Sequence, residues 1–253
     1  MAADGAHPGF CPPTPMTIAV IIPVLNEARG LEPVLSHTCA LGFDDIIIVD
    51  GGSSDDTCTI ARSFAEGTRS LSCAGSGSMR LLRAPRGRAR QLNAGAAASG
   101  CEVLLFLHAD TILPPNARLA VTTALSDAAC VGGRFDVRFD SPRLSARMIS
   151  SLMNLRSRWS GIATGDQAIF VRRAIFEQVG RFADIPLMED IEFTRRLKRA
   201  GPLAFLSDQV VTAFRRWEQQ GPLRTILLMW TLRFLYWIGI SPHRLQHFYR
   251  TVR

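Results

Sequence analysis

Three polar clusters in this chain follow apolar runs of strand length. Asn26 and Glu27 follow IAVIIPVL, Asp50 ends DDIIIVD, and His108 with Asp110 ends LLFLHAD. A further acidic pair, Glu189-Asp190, opens a charged run with helical spacing. Carboxylates and imidazole take up protons, accept hydrogen bonds from hydroxyl and imide groups, and ligate hard cations. Taken singly, each cluster reads as a loop residue or a helix cap. Ligands of parallel α/β sheets bind beyond the carboxyl ends of the strands. Three such ends carrying polar groups therefore predict one shared cleft.

The elements that must position these groups alternate. TIAVIIPVL, DDIIIVD, the weaker MRLLRA and VLLFLHAD have strand patterns. ARGLEPVLSHTCAL, TCTIARSFAEG (with Ser54 or Asp55 near its N-cap) and RGRARQLNAGAAASG read as the helices between them. Strands that are apolar throughout fit a sheet covered on both faces. The expectation is an α/β fold with a mostly parallel mixed sheet and helices on both sides. After residue 112 the pattern loosens. VGGRFDVRFD alternates like a half-buried strand. SARMISSLMNLRSRW and EDIEFTRRLKRAG read as helices, QAIFVRR as a strand, and LAFLSDQVVTAF as one or two strands.

Composition narrows the field. The chain has 253 residues, 47% of them hydrophobic, enough for one sizeable core. Its net charge is +7, and Lys198 is the one Lys among 29 basic residues. Arginine suits phosphate and carboxylate recognition through its planar fork. No zinc finger, aromatic RNA-binding motif or dense basic tract is present, so nucleic acid is not an expected partner. None of the six cysteines forms a CxxC pair, which predicts ordinary thiols in a reducing compartment. The Pro- and Gly-rich residues 1–15 lack a basic start and an apolar run. They predict a disordered tail and no signal peptide, hence a cytoplasmic chain. Residues 66–78 read as an inserted loop. The GSGSM within it lacks both the spacing and the context of a dinucleotide-binding glycine loop.

The segments IIPVLNE, IIIVDGGSSDDT, RGRARQLNAG, LLFLHADT and MEDIEF resemble the family 2 glycosyltransferases, which have the GT-A fold, in the family's order over about residues 16–200. LHADT, GDQ and RRW make the resemblance closest to the bacterial "transferase 2, rSAM/selenodomain-associated" group. The resemblance implies a nucleotide-diphosphate sugar donor, UDP-linked by preference, and an acceptor attacked with inversion. It implies that Pro23, Leu25 and Glu27 line the nucleotide pocket and that Asp50 accepts from a pyrimidine imide. Arg90 and Asn93 then approach base or phosphates, and Asp110 holds Mg²⁺ or Mn²⁺ on the diphosphate. Asp190 is the implied base, beside Glu189, whose negative charge would help it bind protons near neutral pH. Gly165, Asp166, Gln167, Arg216 and Trp217 fall on the acceptor and diphosphate side. The chain departs from the family where many members carry Asp-x-Asp. Here His108 takes the first position and reduces the negative charge.

RTILLMWTLRFLYWIGI predicts an apolar C-terminal helix at the lower limit of a membrane span, with Arg224 and Arg233 on opposite sides. Residues 221–253 thus read as an extension of a domain covering 16–220. The extension packs on the body, forms a homodimer, or lies at the inner face of a membrane; the last would suit a lipid-like acceptor as well as a small-molecule one. His243 and His247, four apart, have no third metal ligand in view. Two rivals remain. A sugar-nucleotide pyrophosphorylase wants a basic Gly-rich loop where Asn26-Glu27 stands. A non-catalytic or membrane-associated nucleotide-binding protein of the same fold draws its support from His108.

Overall fold

Alternate residues of the first strand enter two different cores. Ile18, Val20, Ile22 and Val24 join one apolar cluster, and Ala19 and Ile21 join the other. That is the period-2 geometry of a strand covered on both faces. The structure, a computed structural model, describes residues 16–67 and 77–252. The tail 1–15 and most of the loop expected at 66–78 lie outside the described residues.

The first half follows the expected alternation. It comprises β1 (Ile18–Val24), α1 (Ala28–Ala40), β2 (Asp45–Asp50), α2 (Thr57–Ala65), β3 (Ser78–Arg83), α3 (Arg88–Ala98) and β4 (Val103–Phe106). The two-residue β5 (Thr111–Ile112) follows, then α4 (Ala117–Ala124), β6 (Gly132–Phe139), α5 (Leu144–Ser160) and a 3-10 turn over Gly165–Gln167. The chain continues through β7 (Phe170–Arg172), α6 (Arg173–Gln178), α7 (Glu189–Ala200), β8 (Leu203–Thr212), α8 (Arg215–Gln220), α9 (Pro222–Trp237) and α10 (Pro242–Val252).

The sheet order is β3-β2-β1-β4-β7-β6-β8-β5. β3, β2, β1 and β4 are mutually parallel; β7 runs antiparallel to both β4 and β6, and β8 is parallel to β6. The mixed, mostly parallel sheet with helices on both faces is the expected fold.

Three readings need correction. β6 is buried almost throughout rather than half-exposed, with Arg134 only 1% exposed. Its charges tolerate burial because Asp136 takes ion pairs from Arg134 and Arg158, and Arg134 also bonds the Asn154 carbonyl. β4 ends at Phe106, so His108 and Asp110 lie on the loop beyond it. Cys39 is disulfide-bonded, while Cys58, Cys101 and Cys130 are free thiols. Disulfide pairing follows from which residues the fold brings together, which local spacing does not reveal.

α9 and α10 pack on the body. Leu228, Leu232 and Leu245 form a small core with Met188, just ahead of α7. Ile226 packs with Ala146 and Ile149 of α5 in another.

Candidate active site

One wall of the cleft is the pair of loops after β1 and β2. Asn26 adopts φ +56°, a conformation Asn tolerates better than most residues. Its Oδ1 accepts from the Ser54 N–H at 2.8 Å, and its own N–H donates to Ser53 Oγ at 3.0 Å. The Glu27 N–H donates to Thr57 Oγ1, and the Ala28 N–H to Asp55. Asp50 is 2% exposed and accepts from the N–H groups of Gly52 and Ser53, each at 3.0 Å. Burial works against its ionisation, but these hydrogen bonds outweigh burial and hold the carboxyl below its ordinary range. Beneath the loops, the buried Gln91 amide donates to the carbonyls of Val24 and Val49 and ties the two strand ends together.

Asn26, Glu27, Arg29, Asp55 and Arg215 line a cavity of ≈ 340 Å³ over this wall. Pro23 and Leu25 are part-buried at the same strand end. Arg90 is engaged elsewhere, ion-paired with Asp184 at 2.8 Å on the surface. Both functions of the Asn93 amide bond the Phe182 backbone. On α3 it is instead Arg88 and Gln91, three apart on one helix face, that turn towards the cleft.

A second wall, joined to the first through Arg88 and Gln91 of α3, is assembled from distant segments. The Asp190 carboxylate accepts from the Gly165 N–H at 2.8 Å and the Ile191 N–H at 2.7 Å. Met188, the residue before α7, has a φ of +69°, unusual for a bulky side chain. Glu189 is buried and ion-paired to Arg88 at 3.2 Å. Burial raises its carboxyl above the ordinary range, while Arg88 opposes the rise. His108 lies against Gly165, where an added Cβ would stand 2.4 Å from its Nε2. The Gly-Asp-Gln turn is thus a seat for His108 and a donor to Asp190. Gln167 is fully buried and closes a capping box with Thr164. Asp166 accepts from Thr164 Oγ1 at 2.5 Å; burial first, then the neighbouring Asp190 charge, raise its carboxyl. Asp110 is part-buried and accepts from Thr111 Oγ1 at 3.3 Å.

Two arginines that the sequence did not assign to the site stand near this wall. Arg156 of α5 has Nε and Nη2 buried without a hydrogen-bond partner. Burial first, then the Arg233 charge, hold its guanidinium down to about 10, against the pull of Asp166 and Asp190. Arg233, the charge in the middle of the apolar C-terminal helix, is therefore within electrostatic reach of Arg156 and Asp166. Trp217 packs in an aromatic cluster, stacked on Phe214 at 6.3 Å and edge-on to Phe139 at 5.7 Å. Arg216 is on the same short helix, and its side chain lies outside the described residues.

Residues 19–182 match the family described as Glycosyl transferase family 2. The chain belongs to that family. It is 28% identical to the glycosyltransferase AglE of Haloferax volcanii over 207 residues, covering 76% of this chain and 65% of that one. It spans between half and two thirds of the length of AglE and of two other curated relatives it matches. The fold is that of a Pyrobaculum calidifontis mannosyltransferase in complex with GDP-Man and Mn²⁺, with TM-score 0.61, 20% identity, and 79% of this chain and 57% of that one covered. It is also that of the glucosyl-3-phosphoglycerate synthase of Mycobacterium tuberculosis in complex with Mg²⁺ and UDP, with TM-score 0.54, 20% identity, and 77% and 70% covered. These likenesses identify a GT-A-like family 2 chain.

Proposed function

We propose that this family 2 chain transfers a sugar from a nucleoside-diphosphate sugar, UDP-linked by preference, to a hydroxyl or carboxyl oxygen of an acceptor, with inversion. The observation that carries the reading is the Asp190 carboxylate, oriented by two backbone N–H donors on the wall that α3 joins to the Asp50 wall. An acceptor hydroxyl gives its proton to Asp190 as its oxygen attacks the anomeric carbon. The bond from that carbon to the diphosphate oxygen breaks, and the nucleoside diphosphate leaves with the electron pair. Two N–H donors fix the carboxylate's direction and leave lone pairs for the incoming proton. Asp50 with Glu27, Pro23 and Leu25 is assigned to the nucleotide. The finer affinity to the transferase 2, rSAM/selenodomain-associated group rests on LHADT, GDQ and RRW.

Among the described residues no three acidic, His or Cys side chains form a metal cage. Asp110, with His108 two positions before it on the same loop, nevertheless fits Mg²⁺ or Mn²⁺ of the kind shared with a substrate diphosphate. Such ions take one or two carboxylates and fill their shell with phosphate and water. When bound, the ion supplies charge neutralisation on the leaving diphosphate. Arg156 and Arg233 add fixed positive charge on the acceptor side.

A thermal-shift screen of UDP, GDP and their sugars with and without Mn²⁺ tests the donor. A ligand bound only by the native state raises Tm by mass action. UDP is expected to give the larger shift, increased by Mn²⁺; no shift from any nucleotide would sink the reading. Asp190→Asn is expected to keep that shift and lower transfer by about 10²–10⁴-fold, the usual contribution of a positioned base.

A further inference from the structure

Among the described residues, nearly all the large apolar side chains left in solvent lie on two helices. On α5 they are Leu144, Met148, Leu152, Leu155 and Trp159, the last 90% exposed. Steps of four and three residues put them on one side of the helix, opposite the packed Ala146, Ile149 and Ser157. On α9 they are Leu227, Trp230, Phe234 and Trp237, continued by Ile238, with Trp237 79% exposed. Leu228 and Leu232 take the inner side. The two helices adjoin, because Ile226 packs into the cluster of Ala146 and Ile149. Each helix thus carries an exposed apolar stripe of its own. Elsewhere the one comparable exposed side chain is Leu119 on α4. A patch this concentrated marks an interaction surface.

Charge selects the occupant. α5, α9 and α10 together contain seven Arg and no Asp or Glu. Glu218 of neighbouring α8 is already ion-paired with Arg143. Of these, Arg156 keeps guanidinium nitrogens buried and Arg158 is ion-paired with Asp136, whereas Arg147 and Arg244 are exposed; a second copy docked through the same face would bring the exposed arginines no acid from these helices. An anionic bilayer supplies the missing charge. Trp side chains suit the headgroup level, and arginines at the rim extend to the phosphates. No helix among the described residues is long and apolar enough to cross a membrane. We infer that the α5 and α9 stripes share one side of the protein and seat it on the surface of an anionic lipid bilayer, both helices lying in the interface. The inference stands on these surfaces alone, so the transfer chemistry can fail without it.

Flotation with vesicles of phosphatidylglycerol and phosphatidylcholine, against vesicles of phosphatidylcholine alone, tests it. The wild type is expected to float with the anionic vesicles and to be released by high salt. L152S/W159S on α5 and W230S/W237S on α9 should each lower the bound fraction about tenfold, with circular dichroism and Tm unchanged. L119S, away from the face, should bind as wild type does. If the α5 variant floats as well as the wild type, the two-helix face is wrong. If the wild type stays with neither vesicle and instead forms a dimer that L152S/W159S dissociates, the occupant is a second copy and the inference falls.

Discussion

The wall carrying Asp50 is built largely from residues 24–57, whose side chains cap backbone N–H groups a few positions away or in the adjoining loop. The wall carrying Asp190 draws on Arg88, His108, Arg156, Gly165 and Arg233, which the fold brings together from five elements or loops. On the first, every described buried charge is met by a hydrogen bond. On the second, Arg156 keeps buried nitrogens with no partner and carboxyls are raised by burial. The first wall is held in place by its own hydrogen bonds. The second holds electrostatic strain that a bound anion would relieve, as sites selected for function over stability do.

That contrast is open to attack. After Asp190→Asn, the largest effect expected is from Gly165→Ala. Its Cβ would press on His108 and disturb the donor to Asp190. Transfer should fall at least tenfold and stability by about 1–3 kcal/mol, the usual cost of overpacking. Adding His108→Ala should restore the stability; a G165A protein with native Tm and rate would dissolve the second wall as drawn. Next comes Asp50→Asn, which turns one of two acceptor oxygens into a donor facing the Gly52 and Ser53 N–H groups. Loss of about 1–2 kcal/mol and weaker nucleotide binding by calorimetry are expected. Unchanged binding would remove Asp50 from the pocket.

Smaller effects probe the strain itself. Arg156→Met should raise the Tm of the ligand-free protein by about 2–4 °C for each kcal/mol of relieved burial, while weakening affinity for a diphosphate. A lower Tm would mean that Arg156 is paired and the two walls are alike. Last is Asp166→Asn. A carboxyl raised in the folded state binds more protons folded than unfolded. Its stabilising contribution is then present below its ordinary value and is lost as pH rises through the folded one. Melting curves should therefore show D166N gaining on the wild type as pH rises from about 4 towards neutrality. A constant difference would contradict the burial of Asp166.

The difference between the walls also explains what was legible in the sequence. Asp50, Asn26 and Glu27 lie at the ends of β-branched runs, and local pattern alone locates them. The alternation that places β1 to β4 is local too. Arg156 and Arg233 sit in helices whose periodicity speaks only of packing; no spacing announces that two arginines 77 positions apart share one field. Within RARQLN, the family resemblance points to Arg90 and Asn93, while Arg88 and Gln91, on another face of α3, bond Glu189 and the ends of β1 and β2. β6 misled for the same reason. Its alternating charges look solvated, and only the facing Arg158 and Asn154 of α5 make their burial affordable.

Met188 holds a left-handed backbone that costs a non-glycine residue about 1–2 kcal/mol, with its side chain clamped between Leu228, Leu232 and Leu245. Two residues on stands Asp190. The start of α7, and with it the backbone that leads into Asp190, is therefore seated on the outer helices rather than on the main sheet.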